Sequence, residues 1–172
     1  MNQITTIGER AGVWSAPGRA NLMGEHTDYN QGLVLPFAIG QSVTVAAARR
    51  DDGMLVLRSR QAPAESPTIA LDSLAPGAVT GWAAYPAGVA WALRDAGYQI
   101  PGATIDINSD LPVGAGLSSS AGLECSTALA LIALAGLAVP RRELVEIARR
   151  PKSTPPTRPA LSAVPTPSQP AR

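Results

Sequence analysis

Lysine, histidine, cysteine and phenylalanine occur once each in this 172-residue chain, as Lys152, His26, Cys125 and Phe37. The single cysteine excludes an internal disulfide and leads us to expect a reducing compartment, the cytoplasm. One histidine and one cysteine are a poor donor set for zinc. A lone lysine far down the chain excludes a Walker loop, whose G-x-x-x-x-G-K-[ST] pattern needs lysine directly behind its glycines. The protein-kinase set fails too, because there is no strand lysine and no D-F-G. Aromatic residues make up only 4% of the chain, so a core must be built from Ala, Val, Leu and Ile. A net charge of +1 argues against nucleic acid or an anionic membrane as partner. The first residues lack a charged-then-apolar leader pattern. The longest apolar run, residues 128–139, has 12 residues and suits a buried helix rather than a membrane span.

The richest stretch is residues 112–121, P-V-G-A-G-L-S-S-S-A. Gly114 and Gly116 permit positive φ and close approach of a ligand to the backbone. Ser118, Ser119 and Ser120 stand where a long apolar helix begins, with unpaired amides and the positive end of a dipole. Such a helix start cradles anions, and hydroxyls can add donors or ligate a hard cation. A triphosphate loop with Mg²⁺ is one reading. A glycine turn followed by a serine cap is the other, although a cap needs one hydroxyl and three are present.

Along the chain, residues 13–16 read as a short strand closed by Pro17-Gly18. Residues 32–39 and 42–48 read as a hairpin turning at Gly40-Gln41. An Asp-Gly turn at 49–53 leads into a strand at 54–58, a loop at 61–67 and a further strand at 68–71. Residues 82–96 have near-helical apolar spacing, with Pro86 in the first turn and a stop at Gly97. Residues 103–107 alternate as a strand that feeds the Gly-Ser stretch. Helices are expected over 118–137 and 141–150. Several strands ahead of the mixed elements, without a βαβ rhythm, predict an α+β fold.

Residues 151–172 break this pattern, with seven prolines and no acid, aromatic or glycine. Too little apolar surface is available there to offset ordering entropy, and disorder is expected. Subtracting the tail's three positive charges from the overall +1 leaves residues 1–150 at −2. The expected organisation is therefore one domain over 1–150 and a flexible tail over 151–172.

Residues 18–36, G-R-A-N-L-M-G-E-H-T-D-Y-N-Q-G-L-V-L-P, resemble the galactokinase signature. The 112–121 stretch resembles the phosphate loop of the wider GHMP kinase superfamily. The likeness runs from about residue 13 to residue 150. It implies an incomplete GHMP-kinase N-terminal domain (ribosomal protein S5 domain 2-like) and ATP-dependent phosphorylation of D-galactose to galactose 1-phosphate. Glu25, His26 and Asp28, two carboxylates and an imidazole suited to sugar hydroxyls, correspond to sugar ligands, and Thr27 lies among them. Arg19, a permanent cation, corresponds to the arginine beside the attacking hydroxyl. Gly114, Ala115, Gly116, Leu117, Ser118, Ser119 and Ser120 correspond to the ATP loop, with Ser120 as a Mg²⁺ ligand. Ser59 matches a nucleotide-contacting position. The implied cofactors are ATP and Mg²⁺, and the expected partner is the sugar alone, on a monomer.

The resemblance also implies a catalytic aspartate in a G-I-M-D-Q stretch, a second metal ligand and a cleft-closing domain. This sequence has no such stretch, and no carboxylate side chain follows Glu146. The tail has the Pro/Ser/Thr/Ala/Arg composition of a GC-rich gene read out of frame, which is the origin we expect for it. The chain is therefore expected to lack activity. Rival readings are a non-catalytic galactose- or ATP-binding regulator and a fragment without function.

Overall fold

The computed structural model describes residues 5–6, 10–24, 33–112 and 116–153, with side chains described as far as residue 148. Six strands form one mixed sheet: β1 (Thr5–Thr6), β2 (Ala11–Met23), β3 (Leu35–Arg50), β4 (Met54–Ser59), β5 (Thr68–Ala70) and β6 (Gly102–Ser109). Their order across the sheet is β1-β2-β3-β6-β4-β5. β4 and β6 are parallel, and every other pairing is antiparallel. Among the described residues, three α-helices accompany the sheet: α1 (Ala84–Asp95), α2 (Ser119–Leu134) and α3 (Arg141–Ser153). This is the expected α+β arrangement.

Period-two alternation decides which side of the sheet is covered. Trp14 and Ala16, Val43, Val45 and Ala47, Leu55 and Leu57, and Ala103, Ile105 and Ile107 are all buried. They join Val89 and Leu93 of α1, Leu131 and Leu134 of α2 and Ile147 of α3 in one core. Arg58, Asp106 and Asn108, at the alternate positions, are exposed. The core is aliphatic, as the scarcity of aromatics demands. α2 rests on β2 and β3 and also touches α1 and α3, so Gly122, Glu124, Ser126 and Thr127 are buried along with Leu131 and Leu134. Ser126 satisfies its hydroxyl within the helix, donating to the Gly122 carbonyl at 2.8 Å. Among the described residues, no helix is long and apolar enough to cross a membrane.

Three expectations need correction. Pro17-Gly18 does not end a strand: β2 continues to Met23, with a bulge between Pro17 and Arg19. Among the described residues β1 flanks β2 only at Gly12 and Val13, and none pairs with Pro17 on that side, where the missing N–H of a proline is tolerated. Gly40-Gln41 does not reverse the chain either. β3 runs straight through it, and pairs with β2 on both sides of it, over Leu35 to Ala38 and over Ser42 to Ala48. Ser42 faces Pro17 and Ala38 faces Arg19, so the apparent turn is taken up as bulge in a long two-stranded ribbon. Finally, α3 runs to Ser153, through Pro151 and past the helix end expected at residue 150. The rest of the expected tail lies outside the described residues.

Smaller features follow the sequence closely. α1 stops where Gly97 takes φ 90° and the Tyr98 amide reaches back to the Leu93 carbonyl at 3.0 Å, a glycine-terminated helix end. The turn after β3 is held by Asp52, which accepts from Arg50 Nε at 3.0 Å and from the Met54 amide at 3.1 Å. The Arg50 hydrogen bond holds the Asp52 carboxyl below its ordinary range, and Asp52 raises the guanidinium of Arg50 in turn.

Candidate active site

The two stretches singled out in the sequence meet at one seam. The backbone N–H of Arg19 on β2 donates to the carbonyl of Leu117 at 3.1 Å. Gly18 is the point of closest approach. A Cβ there would stand 2.4 Å from Leu111 Cδ2 and 3.0 Å from the Leu117 oxygen. The Pro17/Arg19 bulge frees an amide from the strand ladder at this point, and the Gly-Ser loop takes it. Arg19 itself is exposed.

The loop enters α2 through an unusual backbone. Gly116 has φ 70°, and Ser118 has φ 60° and ψ 36°, the single positive φ among described non-glycine residues. The left-handed region costs an L-residue about 1–2 kcal/mol. Ser118 is the N-cap of α2, yet it makes no side-chain capping bond, and a capping serine normally has extended backbone. The cap alternative is therefore not what this hydroxyl does. Ser119 is exposed at the helix start, and Ser118 and Ser120 are half-buried.

A cavity of about 200 Å³ opens beside this helix start. Ser119 and Ser120 form part of its wall, and Ser59 lines it from the end of β4. Ser59 Oγ accepts from the Gln61 amide at 3.2 Å. Three residues assigned to one ligand from sequence thus share one cavity. The remaining wall includes Trp82 and Tyr85, where the chain enters α1, together with Val43, Ile107, Leu111 and Leu123. The two aromatics were not among the residues picked from sequence. Their signal was available: in a chain this poor in aromatics, W-x-x-Y at the start of a helix marks a place where flat rings are needed.

Glu25, His26, Thr27 and Asp28 lie outside the described residues, as do Gly114 and Ala115. Among the described residues, no group of three or more His, Cys, Asp or Glu side chains comes together to hold a metal. A mixed sheet covered on one side by helices, with a Gly-Ser loop opening α2, defines the class: the N-terminal domain of a GHMP kinase. The family model for the GHMP kinases N terminal domain matches residues 84–153, and that for the galactokinase galactose-binding signature matches residues 4–49. A Streptomyces coelicolor galactokinase is 47% identical over 154 residues, which is 84% of this chain and 40% of that protein. A Lactococcus lactis galactokinase solved with galactose superposes with a TM-score of 0.77 at 36% identity, over 83% of this chain and 37% of that one. A Methanococcus jannaschii mevalonate kinase has the same fold at 18% identity, with a TM-score of 0.71 over 83% of this chain and 46% of that one. The chain belongs to the galactokinase family, and it spans about two fifths of the length of the galactokinases it matches.

Proposed function

We propose that these 172 residues form the galactose- and ATP-binding part of a cytoplasmic, monomeric galactokinase, the enzyme that converts D-galactose and ATP to galactose 1-phosphate. The observation that carries this reading is the Arg19–Leu117 hydrogen bond, which ties the strand of the galactose signature to the phosphate loop. Donor and acceptor substrates of a phosphoryl transfer must lie side by side, and this bond sets the two recognition elements together.

The residues present suit a nucleotide. The cavity joins an aromatic wall for a base to a helix start with three hydroxyls for phosphates. Gly114 to Ser120 supply amides and hydroxyls to the phosphates, and Ser59, Trp82 and Tyr85 bound the base. Mg²⁺ takes one or two protein oxygens and fills its shell with phosphate and water, so Ser120 offers it a single ligand. When bound, Mg·ATP supplies the phosphoryl group and the metal neutralises charge on its oxygens. Arg19 places a permanent positive charge where the transferring group carries negative charge. Glu25, His26, Thr27 and Asp28 hold the sugar hydroxyls.

The chain is proposed to bind both substrates without joining them. It holds no G-I-M-D-Q-like stretch to supply a proton acceptor, and losing a positioned base alone costs about 10²–10⁴-fold. Calorimetric titration of the purified chain with Mg·ADP and with D-galactose, beside an assay for galactose 1-phosphate, tests both halves. Binding of each ligand with no product is expected. A folded chain that takes up neither ligand would overturn the binding assignment, and galactose-dependent ADP formation would overturn the proposed inactivity.

A further inference from the structure

The loop between β4 and β5 is fixed from several sides. The Leu57 amide donates to the Pro67 carbonyl and the Arg60 amide to the Ile107 carbonyl, each at 3.0 Å. Gln61 Nε2 donates to the Ser109 carbonyl at 2.8 Å. Inside the loop, the Glu65 amide closes a turn on the Ala62 carbonyl at 3.1 Å. A loop held this way presents Glu65 at a set place, and Glu65 Oε2 accepts the indole N–H of Trp82 at 2.8 Å.

Trp82 is a wall of the cavity shared by Ser59, Ser119 and Ser120. Glu65 is not. It lines an adjoining depression on the outer face of the sheet, with Arg58 and Asp106, that shares Ser59 and Ile107 with the cavity, and its bond to the cavity wall runs through the indole. A flat ring contributes stacking only in the right plane, and a carboxylate acceptor makes the N–H bond charge-assisted and directional. We propose that Glu65 is a positioning residue that holds Trp82 in one orientation against the base of the bound nucleotide. This rests on the nucleotide reading of the cavity given above.

Calorimetry with Mg·ADP and with D-galactose on the 172-residue chain tests it. Glu65→Ala should weaken Mg·ADP binding about 3- to 10-fold and leave D-galactose binding within about twofold. Glu65→Gln, whose amide oxygen still accepts from the indole, should recover most of that loss. Trp82→Phe keeps a ring but deletes the N–H, so adding Glu65→Ala to it should cost nothing more. Wild-type Mg·ADP affinity in Glu65→Ala overturns the proposal, as does a parallel fall in sugar affinity or additive losses in the double variant. Where Glu65→Ala does not fold, Trp82→Phe serves alone, and unchanged Mg·ADP affinity in it is equally fatal. A wild-type chain that binds D-galactose but not Mg·ADP overturns the nucleotide reading and with it the role of Glu65. Normal Mg·ADP binding that ignores Glu65 overturns the role alone.

Discussion

A Cβ on Gly18 would stand 2.4 Å from Cδ2 of Leu111, and Ile39 Cδ1 and the Leu117 oxygen would each lie 3.0 Å away. Gly18→Ala must therefore push the Gly-Ser loop away from β2 or displace Leu111, which is 5% exposed in the core. Overpacking of this kind costs about 1–3 kcal/mol. We expect a urea midpoint lowered accordingly, with Mg·ADP and D-galactose affinity both reduced, since the displaced seam joins the two proposed sites. Wild-type stability and affinities in Gly18→Ala would remove the seam from the argument.

Ser118 offers the opposite trade. Its φ of 60° is a conformation that glycine adopts without strain. Ser118→Gly should relieve about 1–2 kcal/mol of strain while giving back part of it, about 0.5–1 kcal/mol, as glycine's extra unfolded-state freedom. A small net gain in unfolding free energy is expected, accompanied by weaker Mg·ADP binding because a hydroxyl is lost. A more stable variant that binds nucleotide as well as wild type would show that the Ser118 side chain has no part in the site.

Tyr98, just past the end of α1, hydrogen-bonds to Glu143 near the start of α3, and this bond, with burial adding to it, raises the phenol above its ordinary range. A raised folded-state value means that the contribution to stability is full below the unfolded tyrosine value, about 10. It is lost as pH rises through the folded value. Unfolding free energy measured from pH 8 to 11 should fall more steeply in wild type than in Tyr98→Phe. Superimposable alkaline limbs for the two chains would contradict the assignment.

Asp52 gives the acid counterpart. Its carboxyl is lowered first by the Arg50 hydrogen bond and further by the Met54 amide. Stability from the pair is present above the unfolded aspartate value, about 3.9, and is lost as pH falls through the lower folded one. Asp52→Asn should flatten the acid limb of the stability curve and leave the alkaline limb unchanged. An acid limb as steep as in wild type would place the acid sensitivity elsewhere.

The elements that were legible in the sequence carry their own punctuation. β4 ends near a loop, α1 ends at Gly97, and β6 alternates between core and solvent. What misled was punctuation absorbed by tertiary structure. Pro17-Gly18 and Gly40-Gln41 are strong local turn signals, yet each lies inside a long strand because bulges accept the irregular residues. Window-by-window reading cannot see a partner strand that tolerates an irregular residue. The site was half legible. Gly116, Ser118 and Ser120 mark the helix start proposed to bind phosphate, whereas Trp82 and Tyr85 join its cavity, and Glu65 meets Trp82, only through packing between segments far apart in the chain.

One consequence of the strand order concerns the moment of assembly. β3 and β4 are joined by the short turn at 51–53, but they never pair, because β6 lies between them. The turn therefore spans two strand spacings, about 10 Å, and leaves a slot. Until residues 102–109 arrive, the facing edges of β3 and β4 are both open to pairing. β6 then fills the slot, antiparallel to Val43–Arg50 on one side and parallel to Leu55–Ser59 on the other. Closure of the sheet waits on a strand made after α1, a non-local step of the kind that slows folding. A nascent chain paused before residue 102 would display two unpaired strand edges side by side, a template for association with any passing extended segment.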